Sequence, residues 1–336
     1  MSTIDLHRLD DIARRMLVAA GTPDDIAQCV AKSLVEANLK GVDSHGVMQL
    51  PWYLEEIERG QIKPAARPVT EKDTAGTALV RGNGGIGIYV LREATDLAIV
   101  KARETHAASV GVVECSHTGR IGWFAEAVAA AGMFGLVFGG GSHRIWSTAP
   151  PFGGAKPLFS TNPYAFAMPG GRFGTVVIDF ATTTVADGKI AVHRAEGKPV
   201  PEGWIVDKHG NPTTDPEDFF DGGMHVPAAG HKGYGLALIA ELMGDAMLAH
   251  QHEYNWLVVA IDIAAFRAAG DYAASAEELL QKVKDVPPAT GFDEVLLPGE
   301  PEARHAAGRR KAGVPIPDGV WAEIVEVAAK LGIDVG

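Results

Sequence analysis

The feature of this sequence that most limits its possible folds is a strand–helix–strand pattern between residues 77 and 114. Residues 77–81 and 110–114 are short apolar runs with the composition of strands, and residues 89–105 between them predict a helix. A chain of 336 residues can also bury a large core and form two closely packed domains. The sequence therefore predicts an α/β protein.

Glycines between the first strand and the helix allow two interpretations. Gly82-x-Gly84-x-x-Gly87 has the spacing of the dinucleotide fingerprint of Rossmann folds, and Glu114 ends the second strand as such folds require. Glu114 follows Gly82 by 32 residues, later than the usual interval of about 20 residues. The glycines can also form a turn that merely joins a strand to a helix, so both interpretations stay open at this point.

Charge and cysteine content exclude several classes of partner. The formal net charge is −12, which leaves no basic face for the phosphates of a nucleic acid or a membrane, so a small-molecule substrate is favoured. The first eight residues carry charges where a signal peptide needs an apolar run, and no uninterrupted apolar segment reaches 18 residues. Two cysteines are too few for a disulfide framework. We expect a cytoplasmic protein.

The first sixty residues predict three helices separated by glycines. Thr22 is placed to cap the second helix, with Pro23 at its first position and Asp25 completing a capping box. The predicted helices cover residues 6–20, 22–40 and 50–59.

The break after the second helix carries a candidate proton donor. Gly41 ends that helix, and Asp43-Ser44-His45-Gly46 forms a tight loop before the third. An imidazole titrates near neutral pH, which suits reversible proton transfer. His45 is therefore placed where a functional group can be both fixed and accessible.

A second histidine follows the predicted strand at residues 110–114. His117 lies in Ser-His-Thr-Gly-Arg, residues 116–120, directly before a predicted helix at residues 123–131. Backbone N–H groups at a helix start bind anions, and Arg120 adds a planar donor. His117 can donate a proton, contact a cofactor phosphate or cap the strand end, and these alternatives stay open.

Two further motifs place ionisable groups at the ends of predicted elements. Asp179 follows the apolar part of a predicted strand at residues 175–183, where desolvation and a neighbouring imidazole would both affect its pKa. Its alternative role is to accept backbone hydrogen bonds. Lys232 lies in Gly-His-Lys-Gly-Tyr-Gly, residues 230–235, before a predicted amphipathic helix at residues 235–250, a combination that fits a pyrophosphate. The alternative is that Lys232 is an ordinary surface lysine that binds no ligand.

Six motifs, in this order, give the chain a resemblance to the malate/L-lactate dehydrogenase family. That family is distinct from the Rossmann-type lactate and malate dehydrogenases, and it includes ureidoglycolate dehydrogenase, sulfolactate dehydrogenase, diketogulonate reductase and piperideine-2-carboxylate reductase. The likeness covers nearly the whole chain. The motifs are Asp43-Ser44-His45-Gly46, His117 with the glycines after it, Thr161-Asn162-Pro163, Asp179-Phe180-Ala181-Thr182, Gly230-His231-Lys232-Gly233-Tyr234-Gly235 and Pro298-Gly299-Glu300.

The resemblance implies an α/β fold with a mixed sheet, a non-Rossmann NAD(P)-binding domain, and N- and C-terminal helical segments packed together. It implies hydride transfer between NAD or NADP and a 2-oxo acid or cyclic 2-imino acid, or the reverse oxidation. His45 resembles the proton donor, with Ser44 beside it, Asp179 resembles the assisting acid, and His117 serves proton transfer or the cofactor. The implied cofactor-binding residues are His117, Gly119, Arg120, Ile121, Asn162, Asp179, Phe180, Ala181, Thr182, His231, Lys232, Gly233, Gly299 and Glu300.

One departure from the family pattern concerns the substrate. The family usually has an arginine four residues after the histidine, and this chain has Gln49 there. An arginine can hold a carboxylate with two charge-assisted hydrogen bonds, and a glutamine cannot. Either another cation, Arg120 or Arg144, replaces it, or the substrate differs in that group. The segment around Arg144 and Trp146 is also unlike the family, which makes it a second candidate for substrate specificity.

The resemblance also implies a homodimer with active sites near the subunit contact. We expect one domain from residues 1–115 with 295–336, and a cofactor-binding domain from residues 116–294. Two alternatives remain: a Rossmann-type dehydrogenase, and a metal-dependent hydrolase. The hydrolase would need metal ligands, but only His250-x-His252 is closely spaced and it lacks a nearby carboxylate pair, so we expect no metal.

Overall fold

A seven-stranded mixed sheet forms the centre of the protein in the computed structural model, which describes residues 1–249 and 254–335. The helices are α1 Leu6–Ala19, α2 Asp24–Leu39, α3 Leu50–Glu58, α4 Gly87–Thr105, α5 Gly122–Ala130, α6 Asp187–Ala195, α7 Pro216–Phe220, α8 His231–Glu241, α9 Ala269–Lys284, α10 Glu300–Ala312 and α11 Asp318–Lys330. The strands are β1 Ser2–Ile4, β2 Val69–Asp73, β3 Thr77–Gly85, β4 Ala107–Cys115, β5 Met133–Gly140, β6 Tyr164–Pro169, β7 Thr175–Phe180, β8 Ile205–Val206, β9 Pro212–Thr213, β10 Met224–His225, β11 Tyr254–Asp262 and β12 Val314–Ile316.

The strand order of the large sheet is β2-β3-β4-β11-β5-β6-β7, and only β3 and β4 pair in parallel. Strand β11 lies between β4 and β5 and is antiparallel to both. A Rossmann sheet is a mostly parallel, doubly wound sheet, so the Rossmann alternative is wrong for this fold. Glu114, the expected ribose ligand of that alternative, instead pairs with Arg81 at 2.6 Å.

The N- and C-terminal helical segments pack together, as predicted. Strands β1 and β12 form a two-stranded sheet in which Ser2 pairs with Ile316. Helices α1, α2 and α3 share one apolar core with residues of α10 and α11, including the fully buried Leu17, Leu34 and Ile324. This core also contains Ile88 and Tyr89, so it holds the helical layer against the start of α4, and the loop after α2 lies beside the sheet.

A second core lies on one face of the large sheet, under α4 and α5. It is built from alternate residues of β4, β5 and β11 with the small residues of both helices, the pattern expected of a half-buried sheet. The sheet contains strands from both sides of residue 115, and the two-domain division stays a prediction.

Several element boundaries differ from the predictions. The capping box is wrong: Pro23 is the N-cap of α2 with no side-chain cap, and Asp25 pairs with Arg67 at 2.9 Å. The helix expected from residue 235 begins at His231 and continues as a π-helix, Leu242–Met247. The strand expected at residues 175–183 ends at Phe180.

Within residues 1–249 and 254–335, no helix is both long enough and apolar enough to cross a membrane. The same residues contain no group of three or more histidine, cysteine, aspartate or glutamate side chains that could hold a metal ion. The pair His250 and His252 lies outside the described residues.

Candidate active site

The predicted site residues gather at one edge of the large sheet. The carboxyl ends of β4, β5 and β7 and the amino ends of β6 and β11 share this edge, because β11 and β6 are antiparallel to their neighbours. His117, Gly119, Arg120 and Ile121 follow β4, Asn162 precedes β6, and Phe180, Ala181 and Thr182 end or follow β7.

The loop after α2 brings His45 to this edge. Its backbone forms two 3-10 turns, Asp43–His45 and Val47–Gln49. The imidazole rings of His45 and His117 stack with centroids 5.9 Å apart. The Ser44 hydroxyl lies 3.0 Å from Nδ1 of His45, which leaves Nε2 of that ring for a ligand. Ser44, His45 and His117 therefore lie together in the structure.

Aromatic residues of α3 hold His117. The Tyr53 hydroxyl lies 2.8 Å from Nδ1 of His117 and 3.2 Å from its carbonyl oxygen. A phenol has one proton, so when it donates to the carbonyl oxygen the ring Nδ1–H donates to the phenol, and Nε2 is the free acceptor. Trp52 contacts the same ring edge-on with centroids 5.7 Å apart.

Both histidines are shifted towards their neutral forms. Burial, and then the neighbouring imidazole of His45, lowers the pKa of His117 to about 3. Burial, and then the positive charge of Arg120, lowers the pKa of His45. A lowered pKa makes the protonated His45 a stronger acid, which favours proton release to a developing oxyanion.

Asp179 lies beside Arg120 and the start of α5. Its Oδ2 accepts the Gly122 N–H at 2.7 Å and lies 3.9 Å from Arg120 Nε. Burial raises the pKa of Asp179, while Arg120 and the Gly122 N–H oppose the rise. A Cβ on Gly122 would lie 2.9 Å from Asp179 Oδ2, so a larger residue there would displace this carboxylate or the residue itself.

Arg120 is almost fully buried and its guanidinium is already paired. It donates to both carboxylate oxygens of Glu126 at 2.8 and 3.1 Å. Lys40, at the end of α2, pairs with the same carboxylate at 2.5 Å. The cluster therefore links the end of α2 to the start of α5.

A cavity of about 550 Å³ opens next to Asp179. Its lining includes Val177, Phe180, Gly299 and Glu302. A Cβ on Gly299 would lie 2.7 Å from Val177 Cγ1, so the glycine allows the segment before α10 to pack on β7. Two motifs far apart in the sequence, Asp179-Phe180 and Pro298-Gly299, thus border one cavity.

Glu300 faces a different set of groups. Its carboxylate accepts the Leu297 N–H at 2.9 Å and pairs with Lys284 at 3.0 Å and with Arg304. These contacts hold the start of α10, and a direct contact of Glu300 with a cofactor stays a prediction.

The start of α8 packs on the segment after β7. A Cβ on Gly233 would lie 2.3 Å from the Thr182 carbonyl oxygen, so this contact too requires a glycine. Thr182 in turn donates its hydroxyl to the Thr161 carbonyl at 2.9 Å. His231 and Lys232 are exposed at the first turn of α8.

The three candidate specificity residues differ in their contacts. Gln49 Nε2 donates to the Ser44 carbonyl at 2.8 Å, so its amide helps to fix the loop of His45. Arg144 pairs with Asp245 at 3.3 Å. Trp146 is 50% exposed. Both cations named as replacements for the family arginine, Arg120 and Arg144, therefore have carboxylate partners within the protein.

Several residues around the site were not predicted. Nothing in the local sequence marks Tyr53 as a partner of His117, or Glu126 and Lys40 as members of one cluster with Arg120. Glu241 of α8 is a further case: its side chain is 6% exposed and accepts from Asn162 Nδ2 at 2.7 Å and from His143 Nδ1 at 2.8 Å. A glutamate within a helical apolar pattern was the one signal available for it.

Comparisons with known proteins cover almost the whole chain. The family model for malate/L-lactate dehydrogenase matches residues 4–325. The chain is 31% identical to the malate/(S)-sulfolactate dehydrogenase of Methanothermus fervidus, with 96% of each chain covered. It is 33% identical to the L-lactate dehydrogenase of Cupriavidus necator, with 99% of each covered.

A solved structure has the same fold. The structure of the delta1-piperideine-2-carboxylate reductase of Pseudomonas syringae pvar. tomato superimposes with a TM-score of 0.86 and 28% identity, over 98% of this chain and all of that one. The mixed sheet, the order of the motifs and the full-length match agree. The chain belongs to the malate/L-lactate dehydrogenase family and is an oxidoreductase of the dehydrogenase type.

Proposed function

We propose that this enzyme interconverts a 2-hydroxy acid and its 2-oxo acid by hydride transfer with NAD or NADP, with His45 as the proton donor and acceptor. A cyclic amino acid and its cyclic 2-imine are the second candidate substrate pair, favoured by the structural similarity to the piperideine-2-carboxylate reductase. The observation that carries the proposal is the stack of His45 on His117, with Ser44 on Nδ1 of His45.

The chemistry requires one proton at one atom. Reduction of a carbonyl carbon places negative charge on its oxygen, and a positioned acid that protonates this oxygen accelerates the reaction by about 10²- to 10⁴-fold. Ser44 fixes Nδ1 of His45, so Nε2 delivers the proton in reduction and receives it in oxidation. The positive charge of Arg120, which lies 3.9 Å from Asp179, contributes to the electrostatic surroundings of this ring.

The residues at the sheet edge fit a nicotinamide dinucleotide. The cavity beside Asp179 has one wall of β7 and one of the segment before α10, and Gly299 lets these walls approach closely. Exposed Lys232 offers positive charge, and the start of the eleven-residue helix α8 at His231 offers backbone N–H groups, which together suit a pyrophosphate. A bound nicotinamide supplies the hydride in reduction and accepts it in oxidation.

Replacing His45 by alanine tests this assignment. His45→Ala should lower kcat by about 10²- to 10⁴-fold, because the general acid is lost. The affinity for NADH or NADPH, measured by fluorescence titration, should stay within about twofold, because the dinucleotide is held mainly by other residues. His209→Ala, at an exposed histidine, is the matched control.

The kinetics use a panel of 2-oxo acids and cyclic imines, so that both substrate classes are covered. Full turnover by His45→Ala with every active substrate would refute the assignment of His45. Failure of the wild-type protein to bind either nucleotide would refute the whole proposal. Lys232→Ala should weaken the binding of both nucleotides, since each contains the pyrophosphate.

We also propose a homodimer. The resemblance implies one, and α8 with the π-helix after it exposes an apolar face that includes Leu236, Ile239, Leu242 and Met247. Sedimentation equilibrium should give twice the chain mass, and Ile239→Asp should shift the equilibrium towards the monomer. A wild-type monomer at micromolar concentration would refute this part.

A further inference from the structure

The loop that carries His45 is held by an ion pair with the C-terminal helix α10. Arg309 donates to Asp43 Oδ1 at 2.7 Å and to Oδ2 at 3.1 Å. The same guanidinium donates to the Asn38 carbonyl oxygen at the end of α2. Asp43 is two residues before His45 and forms the first residue of its 3-10 turn.

Asn38 connects this ion pair to the other end of the loop. Its side chain is buried, donates to Asp43 Oδ1 at 2.7 Å and accepts the Val47 N–H at 2.8 Å. A Cβ on Gly46 would lie 2.2 Å from Asn38 Oδ1, so the backbone after His45 packs directly on this amide. Residues on both sides of His45 are therefore fixed to one buried group.

Arg309 is 17% exposed and Asp43 is 39% exposed, so the pair is partly shielded from solvent. A guanidinium that serves two carboxylate oxygens and a carbonyl fixes direction as well as distance. On the other side of the loop, Lys40 pairs with Glu126. The two ion pairs hold the segment before His45 between α10 and α5.

We infer that Asp43 and Arg309 are positioning residues for proton transfer, which orient the His45 ring through the 3-10 turn between them. The inference rests on the proposed role of His45. The hydrogen bonds of these two side chains go to each other and to Asn38, and not to the His45 ring, so their effect is on the geometry of the proton donor and not on the reacting atoms. A displacement of about 1 Å at a catalytic group can cost about 10²-fold in rate, so loss of the pair has a measurable effect.

Residue 310 offers a matched control. Arg310, the next residue of α10, pairs with Glu36 of α2 at 3.3 Å and is 52% exposed. This ion pair joins the same two helices as Arg309 but makes no contact with the loop of His45. Arg309→Gln and Arg310→Gln therefore remove equal charges from the same helix, and only the first releases the loop.

The experiment measures kcat, the cofactor dissociation constant, the solvent deuterium isotope effect and the thermal midpoint for Arg309→Gln, Arg309→Lys, Asp43→Asn and Arg310→Gln. Arg309→Gln and Asp43→Asn should lower kcat about tenfold or more and raise the solvent isotope effect, with the dissociation constant unchanged within about twofold. The kcat of Arg309→Lys should fall between those of Arg309→Gln and the wild type. A lysine ammonium keeps the positive charge but lacks the planar array of N–H donors that a guanidinium presents to two acceptors. Arg310→Gln should match the wild type.

The effects of the Asp43 and Arg309 substitutions on kcat should also be non-additive. The double variant Asp43→Asn/Arg309→Gln should be no slower than the slower single variant, because the first change already removes the contact. Wild-type kcat in folded Arg309→Gln, or an equal loss in Arg310→Gln, would overturn the inference. If Arg309→Gln does not fold, the kcat values of Asp43→Asn and Arg309→Lys test the inference by the same criterion. An inactive His45→Ala beside a fully active Arg309→Gln would reject only this inference, whereas an active His45→Ala would reject the proposed function.

Discussion

Two loops at the same sheet edge are built in opposite ways. The loop of residues 40–49 is held along its length by polar contacts. Lys40 pairs with Glu126, Asp43 pairs with Arg309, and Gln49 donates a hydrogen bond to the Ser44 carbonyl. The loop of residues 141–163 is held at both ends by Glu241, which accepts the Gly141 N–H at 3.1 Å and Asn162 Nδ2 at 2.7 Å. Between these ends it exposes Ile145, Trp146 and Phe152.

This difference separates two tasks. A proton donor must be held within a fraction of an ångström, whereas residues that select a substrate can lie on a more exposed segment. We therefore expect the first loop to serve proton transfer and the second, more exposed loop to serve substrate choice. The buried carboxylate of Glu241 accepts from residues at both ends of the second loop, Gly141, His143 and Asn162.

Removing that anchor should have the largest effect. Glu241→Ala leaves the Asn162 amide and the His143 and Gly141 donors without their acceptor, at a cost of about 3 kcal/mol or more in the free energy of unfolding. Denaturant unfolding of the wild type and of Glu241→Ala measures this loss of stability. Glu326→Ala, which removes an exposed i,i+4 pair with Lys330, should leave the unfolding midpoint unchanged. Equal unfolding midpoints for the wild type and Glu241→Ala would show that Glu241 does not anchor the second loop, and the comparison of the two loops would fail.

The pH profile should depend on the first loop alone. In oxidation His45 must be neutral, so kcat/KM should rise about tenfold per pH unit below the pKa of His45 and be constant above it. Burial and Arg120 hold that pKa below the ordinary value of 6.5, so the inflection should lie below pH 6.5. Arg144→Gln, on the second loop, should leave the inflection in place. An inflection above pH 6.5 in the wild type would contradict the assignment.

A cation at position 49 should restore a carboxylate contact. Gln49→Arg should raise kcat/KM for a 2-oxo acid by about tenfold or more, since a charge-assisted hydrogen bond contributes about 1.5–3 kcal/mol. Steady-state kinetics with a 2-oxo acid and an uncharged carbonyl analogue measure the change in preference. Gln61→Arg adds the same charge at an exposed glutamine and should change neither rate. Loss of activity with both substrates would mean that the Gln49 contact with Ser44 outweighs the added charge.

The smallest effect should come from the exposed part of the second loop. Trp146→Ala should raise KM by about two- to tenfold with kcat unchanged, as expected for loss of one aromatic contact with substrate. Phe266→Ala, at a side chain that is 83% exposed elsewhere on the surface, is the control. A large fall in kcat would place Trp146 with the fixed loop instead.

Local patterns predicted most of the helices and strands but not their ends. The periodicity of residues 89–105 indicated α4, which the structure has as Gly87–Thr105. The capping box at Thr22 was wrong because Pro23 takes the N-cap position and Asp25 pairs with Arg67, 42 residues away in sequence.

The sequence by itself identified the candidate functional residues. Glycines around His45 and after His117 interrupt regular structure there, and Asp179 ends an apolar run, because these signals depend only on near neighbours in the chain. The order of six such motifs was enough to identify the family.

Tertiary structure alone decided what these residues touch and how they titrate. Strand β11 enters between β4 and β5 from a segment more than a hundred residues away, and this insertion excludes the Rossmann arrangement. The stack of His45 on His117 and the partners Glu126 and Arg309 also join distant segments. Burial lowers the pKa of both histidines, and burial is a property of the packed molecule, because it depends on every element that removes water from the ring.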